Sequence, residues 1–202
     1  MEPADLDLIV HVDLSLHRAV ITLLEPGERL TQTETVSLQA RGVSELVSEW
    51  KKSIAEEFVQ KTRFDPLYEA SSEQELHDRL PAVLAQLQGK ESVPFEMKSG
   101  LHKHSVTLTR ELFTEKSGPV FADVAGAVES KRTKAGLQDA TTALWVTHRV
   151  TRIPGWKEGL AALPHTRLFA LEPGAGAKGA AKLSNLFEAR SGTRGVALLA
   201  SR

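Results

Sequence analysis

The chain has no cysteine. That excludes disulfides, cysteine-ligated zinc, iron–sulfur clusters and thiol nucleophiles, and it fits a reducing compartment. Long apolar runs are also missing. Val196–Ala200 is among the longest, against the roughly 20 residues that a membrane-spanning helix needs. Residues Met1 to Asp7 are acidic and show neither the basic start nor the apolar core of a signal peptide. Excess charge of one sign is lacking as well. A net charge of −1 over 202 residues argues against a globally basic nucleic-acid binder and against an acidic disordered chain. No internal repeat or low-complexity linker is visible. The expectation is a soluble, cytoplasmic protein with neither a membrane nor a nucleic acid as partner.

What is present is ordinary globular material: 41% hydrophobic and 25% charged residues, enough for one sizeable core. The charge is unevenly spread. Residues 1–97 hold 9 basic and 18 acidic side chains, whereas residues 98–202 hold 16 basic and 8 acidic.

Short apolar stretches at Leu6–Val12, Ala19–Leu24 and Thr31–Leu38 predict a β-meander, with Glu25-Pro26-Gly27 turning the second into the third. Val43, Leu46, Val47, Trp50, Ile54, Phe58 and Val59 recur at helical spacing until Asp65-Pro66. A second helix carries Leu76, Leu80, Leu84 and Leu87, with Ser71 or Ser72 as its N-cap; Pro81 inside it should kink or break it. Ser92–Met97 and His104–Leu108 alternate like a hairpin turning at Ser99-Gly100. Thr109 then caps a helix that Gly118-Pro119 interrupts. Strands at Ala143–Thr147, Arg167–Ala170 and Gly195–Ala200 alternate with helices at Pro154–Ala162 and Gly174–Phe187. This order predicts an α/β fold: a mixed sheet with helices on both faces and a small helix-plus-hairpin subdomain over about residues 66–108.

Three segments carry candidate chemistry. The first strand ends in Asp13-Leu14, followed by Ser15, Leu16, His17 and Arg18, with Val20 on the return strand. Leu144–Thr147 leads through His148-Arg149-Val150 into Thr151-Arg152-Ile153-Pro154. Leu171-Glu172-Pro173-Gly174 opens the Gly/Ala-rich helix. In this order they resemble the second lobe of the nucleotide-binding domain of DnaK-type heat-shock chaperones, in the actin/sugar-kinase ATPase superfamily. The resemblance spans roughly residues 6 to 187.

It implies a ribonuclease H-like, actin-like lobe formed by the whole chain, 1–202, with its main sheet in about 6–65 and 109–202. It also implies a cleft for ATP or ADP with Mg²⁺ at Asp13, His148, Arg149, Arg152 and Gly174. In the family, glycines stand where Ser15, Leu16, His17, His148 and Arg149 stand here, a Thr replaces Arg18, and a second Asp replaces Val20. The charged residues that clasp the adenine have no counterpart in Pro81–Gln86. The family's first lobe, which supplies a phosphate loop and catalytic residues, is not represented in this sequence. The expectation is a lobe with a degenerate nucleotide site and no ATPase activity of its own. It would act through protein–protein or conformational recognition, with a first lobe or another protein as partner. The alternatives are the ATP-binding lobe of a working divergent chaperone and a pure interaction module without nucleotide.

Other constellations read as structural. His102 and His104 share a strand face on what should be a surface hairpin, with no third ligand at metal spacing. Glu75 and Asp78 belong to a solvated helix face. Lys131, Arg132 and Lys134 suit a helix C-terminus. Trp50, Trp145 and Trp156 fall on apolar positions and are expected in the core.

Overall fold

The structure, a computed structural model, describes residues 6–27 and 30–182. Three strands come first, β1 (Leu8–Leu14), β2 (Arg18–Glu25) and β3 (Thr31–Gln39), followed by helices α1 (Val43–Thr62) and α2 (Ala70–Leu87). The hairpin β4 (Ser92–Ser99) and β5 (His102–Thr109) leads into the long helix α3 (Arg110–Lys134). Then come β6 (Thr142–Val146), the short helices α4 (His148–Thr151) and α5 (Trp156–Ala161), β7 (Thr166–Ala170) and α6 (Ala175–Lys182). The expected strand at Gly195–Ala200 and residues 183–187 of the last expected helix lie outside the described residues.

The main sheet is mixed, in the order β3-β2-β1-β6-β7, with β1–β2–β3 antiparallel and β1, β6 and β7 parallel. Strand alternation decides its two faces. Leu8, Val10, Val12 and Leu14 point into a core shared with Ile21, Leu23, Leu144 and Val146. That core also holds Leu46, Trp50, Ile54 and Phe58 of α1, Phe113, Phe121, Val124 and Val128 of α3, and Leu160 of α5. These three helices share one face of the sheet. The opposite face carries the row Thr22–His11–Trp145–Phe169 across four strands. Trp50 is buried as expected, but Trp145 lies on this second face and is only half-buried, as is Trp156.

Neither internal proline ends its helix. Pro81 and Pro119 both sit on the solvent side of continuous helices, where water can take the carbonyl that loses its partner. A helix-interior proline costs about 3 kcal/mol, while each fully buried large apolar side chain returns about 1.5–3 kcal/mol. α3 buries Phe113, Val120, Phe121, Val124 and Val128, so burial wins. The start of α2 also differs from expectation. Glu69 holds the N-cap position, and Ser72 lies inside the first turn, donating its hydroxyl to Pro66 O at 2.7 Å and Glu69 O at 2.9 Å. Thr109 caps α3 as its sequence suggests, accepting from Leu112 N.

α2 and the β4–β5 hairpin pack onto α1 through Phe58, whose ring meets Phe95 edge-on at 6.0 Å. The hairpin turns at Gly100-Leu101, one residue later than expected, with Gly100 at a φ of +58°. His104 stacks on Phe64 at 4.5 Å between ring centroids, and His102 is exposed.

The cation cluster at the end of α3 hides the best-satisfied polar group described. Arg132 is fully buried. Its guanidinium donates to Leu137 O (3.2 Å), Pro164 O (2.8 Å), Gln138 O (2.6 Å), Ala140 O (3.1 Å) and Glu129 Oε1 (2.9 Å). The planar five-donor fork thus gathers the carbonyls that precede β6 and β7, which three lysine donors could not reproduce. Replacing Arg132 by Ala should destabilise the fold by about 3–5 kcal/mol, because several buried carbonyls lose their donors together. Arg132→Lys should recover only a minor part. Denaturant unfolding of the two variants checks this, and a loss below about 1 kcal/mol in Arg132→Ala would contradict it.

Candidate functional site

Three parallel strands end side by side at Leu14, Val146 and Ala170, the edge of an α/β sheet where crevices form. Leu171 N donates to Val146 O and Thr147 N to Val12 O, so the chain leaves β6 and β7 close to β1. A cleft of about 370 Å³ opens there, lined by His11, Thr147, His148, Arg149 and the turn from Leu171 to Gly176. Gly174 sits at a φ of +71°, a conformation that favours glycine, and the space around its Cα is open.

The expected site residues divide into three groups. His148, Arg149 and Gly174 line this cleft. Asp13 lies just behind it, its carboxylate held by Thr147 Oγ1 at 2.6 Å on one oxygen and by the Arg149 guanidinium on the other. Arg152 is exposed as the C-cap of α4 and is not among the lining residues. The helical turn after β6 starts at His148, and α5 starts only at Trp156. Pro154 therefore lies between two short helices, where it had been expected to open one.

Two lining residues were not singled out in the sequence. Thr147 occupies the N-cap position of α4, yet its hydroxyl is turned to Asp13 and makes no cap bond. Its place between a buried strand and a helix start was the available signal. His11 interrupts the apolar run of β1 on the second face, between Thr22 of β2 and Trp145 of β6. Burial there pushes the His11 pKa below its ordinary 6.5, and the nearby Asp13 charge only partly opposes this.

The turn before β2 bears on phosphate binding. Ser15 N and Ser15 Oγ both donate to Arg18 O, at 2.9 and 3.0 Å. The first amides of α1 are committed too: Val43 N donates to Ser15 O at 3.0 Å and Ser44 N to Leu16 O at 2.8 Å. Gly42 permits this contact, since a Cβ there would stand 2.4 Å from Arg18 N and Leu16 O. Leu16, at the apex, is 61% exposed. A phosphate loop aims free N–H groups at its ligand. In this turn the Ser15 amide and the helix amides behind it already have partners within the chain.

Magnesium is fitted no better. Mg²⁺ takes near-octahedral oxygen ligands, commonly one or two carboxylates together with substrate phosphates. Val20 faces Asp13 across the strand pair, both Asp13 oxygens are engaged, and Glu172 of the cleft pairs with Lys178 at 3.2 Å. Among the described residues no group of three His, Cys, Asp or Glu side chains could hold a metal. The residues present do not fit a magnesium nucleotide bound through its phosphates. Among the described residues, no helix is long and apolar enough to cross a membrane. No family model matches the chain, and no curated protein matches it.

The pH dependence follows from His11. Its folded pKa lies below the unfolded value, so the unfolded chain binds more protons between the two. Its contribution is complete above the unfolded pKa of about 6.5 and is lost as pH falls through that value toward the folded pKa. Denaturant unfolding at pH 7.5 and 5.5 should show a smaller acid loss in His11→Gln than in the wild type. Equal losses would contradict the assignment.

Proposed function

We propose that the chain is the second lobe of a DnaK-like, actin-superfamily protein with a degenerate nucleotide site, and that it acts through protein–protein or conformational recognition. The observation that carries the reading is Asp13, at the end of the first strand, with both carboxylate oxygens taken by Thr147 and Arg149 of its own chain. Each oxygen keeps lone-pair capacity, but the Arg149 guanidinium already supplies at this carboxylate the positive charge that a metal would bring.

The lobe architecture has separate support. A three-strand meander runs into two parallel strands in the order β3-β2-β1-β6-β7, and α2 with its hairpin is inserted between α1 and α3. Thr151–Pro154 spans the end of the helical turn after β6 and the connection to α5, and Gly174 lies in the turn after β7, in the order in which the resembling segments follow one another. The departures from the family are equally local: side chains at Ser15, Leu16, His17, His148 and Arg149 stand where the family keeps glycine. Protein recognition is the chemistry left to such a lobe, with a first lobe or another protein as the partner.

The second reading, an ATP-binding lobe of a working divergent chaperone, is favoured by the cleft itself. At about 370 Å³ it is within the range of small-molecule sites, and the Gly174 turn is open. Calorimetric titration of the chain with Mg-ATP tests the degenerate reading. No saturable heat is expected up to about 1 mM, where binding is worth only about 4 kcal/mol, and no hydrolysis above a protein-free blank. Saturable binding in the micromolar range that Asp13→Ala abolishes would overturn the degenerate reading.

A further inference from the structure

The pairing at Asp13 has a consequence for cations. The Asp13 side chain is 20% exposed and comes from the end of β1, whereas Arg149 is 63% exposed and reaches it from the first turn of α4. Thr147, immediately before that turn, fixes the other oxygen at 2.6 Å. The second carboxylate at this edge, Glu172, is matched by Lys178 at 3.2 Å. Across β2, Asp13 meets Val20, which offers no ligand, and the next residue along its own strand face is His11. The one carboxylate that points out from the β1 end therefore comes with its own positive charge, delivered by the adjacent strand-to-helix joint.

We propose that Arg149 is the built-in cation of Asp13: it occupies the place at the carboxylate where a divalent metal would sit, so that this cleft excludes divalent cations and takes any anionic ligand without one. The geometry is specific to position 149. A glycine there would leave Asp13 with only the Thr147 hydroxyl and an oxygen open to solvent. With the guanidinium present, an incoming divalent ion meets a unit positive charge within a few ångströms and must also break a charge-assisted hydrogen bond. The guanidinium side of the pair is solvent-exposed, so the barrier is one of competition and not of burial. This deepens the degenerate-cleft reading by naming what closes the metal position. It is tested without nucleotide, so its failure is distinct from failure of that reading.

The probe is Mn²⁺ alone, added at a concentration equal to that of the protein, with local paramagnetic broadening read from the amide NMR signals. In the wild type, residues 12–15 and 146–149 should keep their intensity as well as the rest of the chain does. In Arg149→Ala, the same amides should broaden selectively, with an apparent Mn²⁺ affinity higher by on the order of tenfold. The double variant Asp13→Asn/Arg149→Ala should lose that broadening, and Arg149→Lys, which keeps the charge, should behave like the wild type. Unchanged signal dispersion in each variant shows that the fold is intact. Wild-type broadening at these residues equal to that of Arg149→Ala overturns the proposal, and so does an Arg149→Ala variant that stays unbroadened.

Discussion

The position of the whole C-terminal edge depends on one buried guanidinium. Arg132 lies in the last turn of α3, and its fork holds Leu137, Gln138, Ala140 and Pro164, the carbonyls of the two connections that deliver β6 and β7 to the sheet. β6 and β7 pair in register from Thr142 with Thr166, and Thr142 also lies opposite Leu8 at the start of β1. Asp7 reinforces that start by accepting from Thr141 N at 2.8 Å. Once those starts are fixed, parallel strands of five to seven residues must finish together, and Asp13, Thr147 and Leu171 arrive at one edge. A positive charge buried among carbonyl dipoles is tolerable only because every donor is used. Conformational precision at the cleft is thus a product of packing at the opposite end of the strands.

The cleft edge itself is governed by a competition for hydrogen-bonding groups. The N-terminus of α1 has orphan amides, as any helix does. Here the carbonyls of Ser15 and Leu16 satisfy two of them, and Glu45 reaches back to Gly42 N at 3.0 Å. The same contact that seats α1 on the sheet therefore uses the first amides of the helix. Asp13 follows the same pattern, since the chain supplies both of its partners. In this chain the fold itself holds these polar atoms.

Much of the architecture was legible because it rests on periodicity. Alternation in Leu8–Leu14 and helical spacing in Val43–Phe58 are written locally, and the element order follows the chain through α6. What was not legible depends on partners far apart in sequence. Arg132 read as one of three cations suited to a helix end, and nothing within a few residues of it reveals that Pro164 lies against it. Pro81 and Pro119 suggested breaks because local propensity does not show that the rest of each helix is buried on the opposite side. Asp13 and Arg149 were each singled out, yet their pairing spans most of the chain. His11 and Thr147 escaped notice because one lay inside an apolar strand and the other read as a strand residue. The uneven charge of the two halves is partly resolved inside the fold. Asp13–Arg149, Glu34–Lys131 and Glu96–Lys103 each join an acid of the first half to a base of the second.

Ser15 N of the turn between β1 and β2, with Val43 N and Ser44 N of α1, is already bonded within the chain. Residue-resolved amide hydrogen exchange, with and without millimolar Mg-ATP, tests it most directly. The account predicts that Ser15, Val43 and Ser44 are protected in the free chain and exchange at the same rates when Mg-ATP is present. Fast exchange of these amides in the free chain, slowed by Mg-ATP, would contradict it.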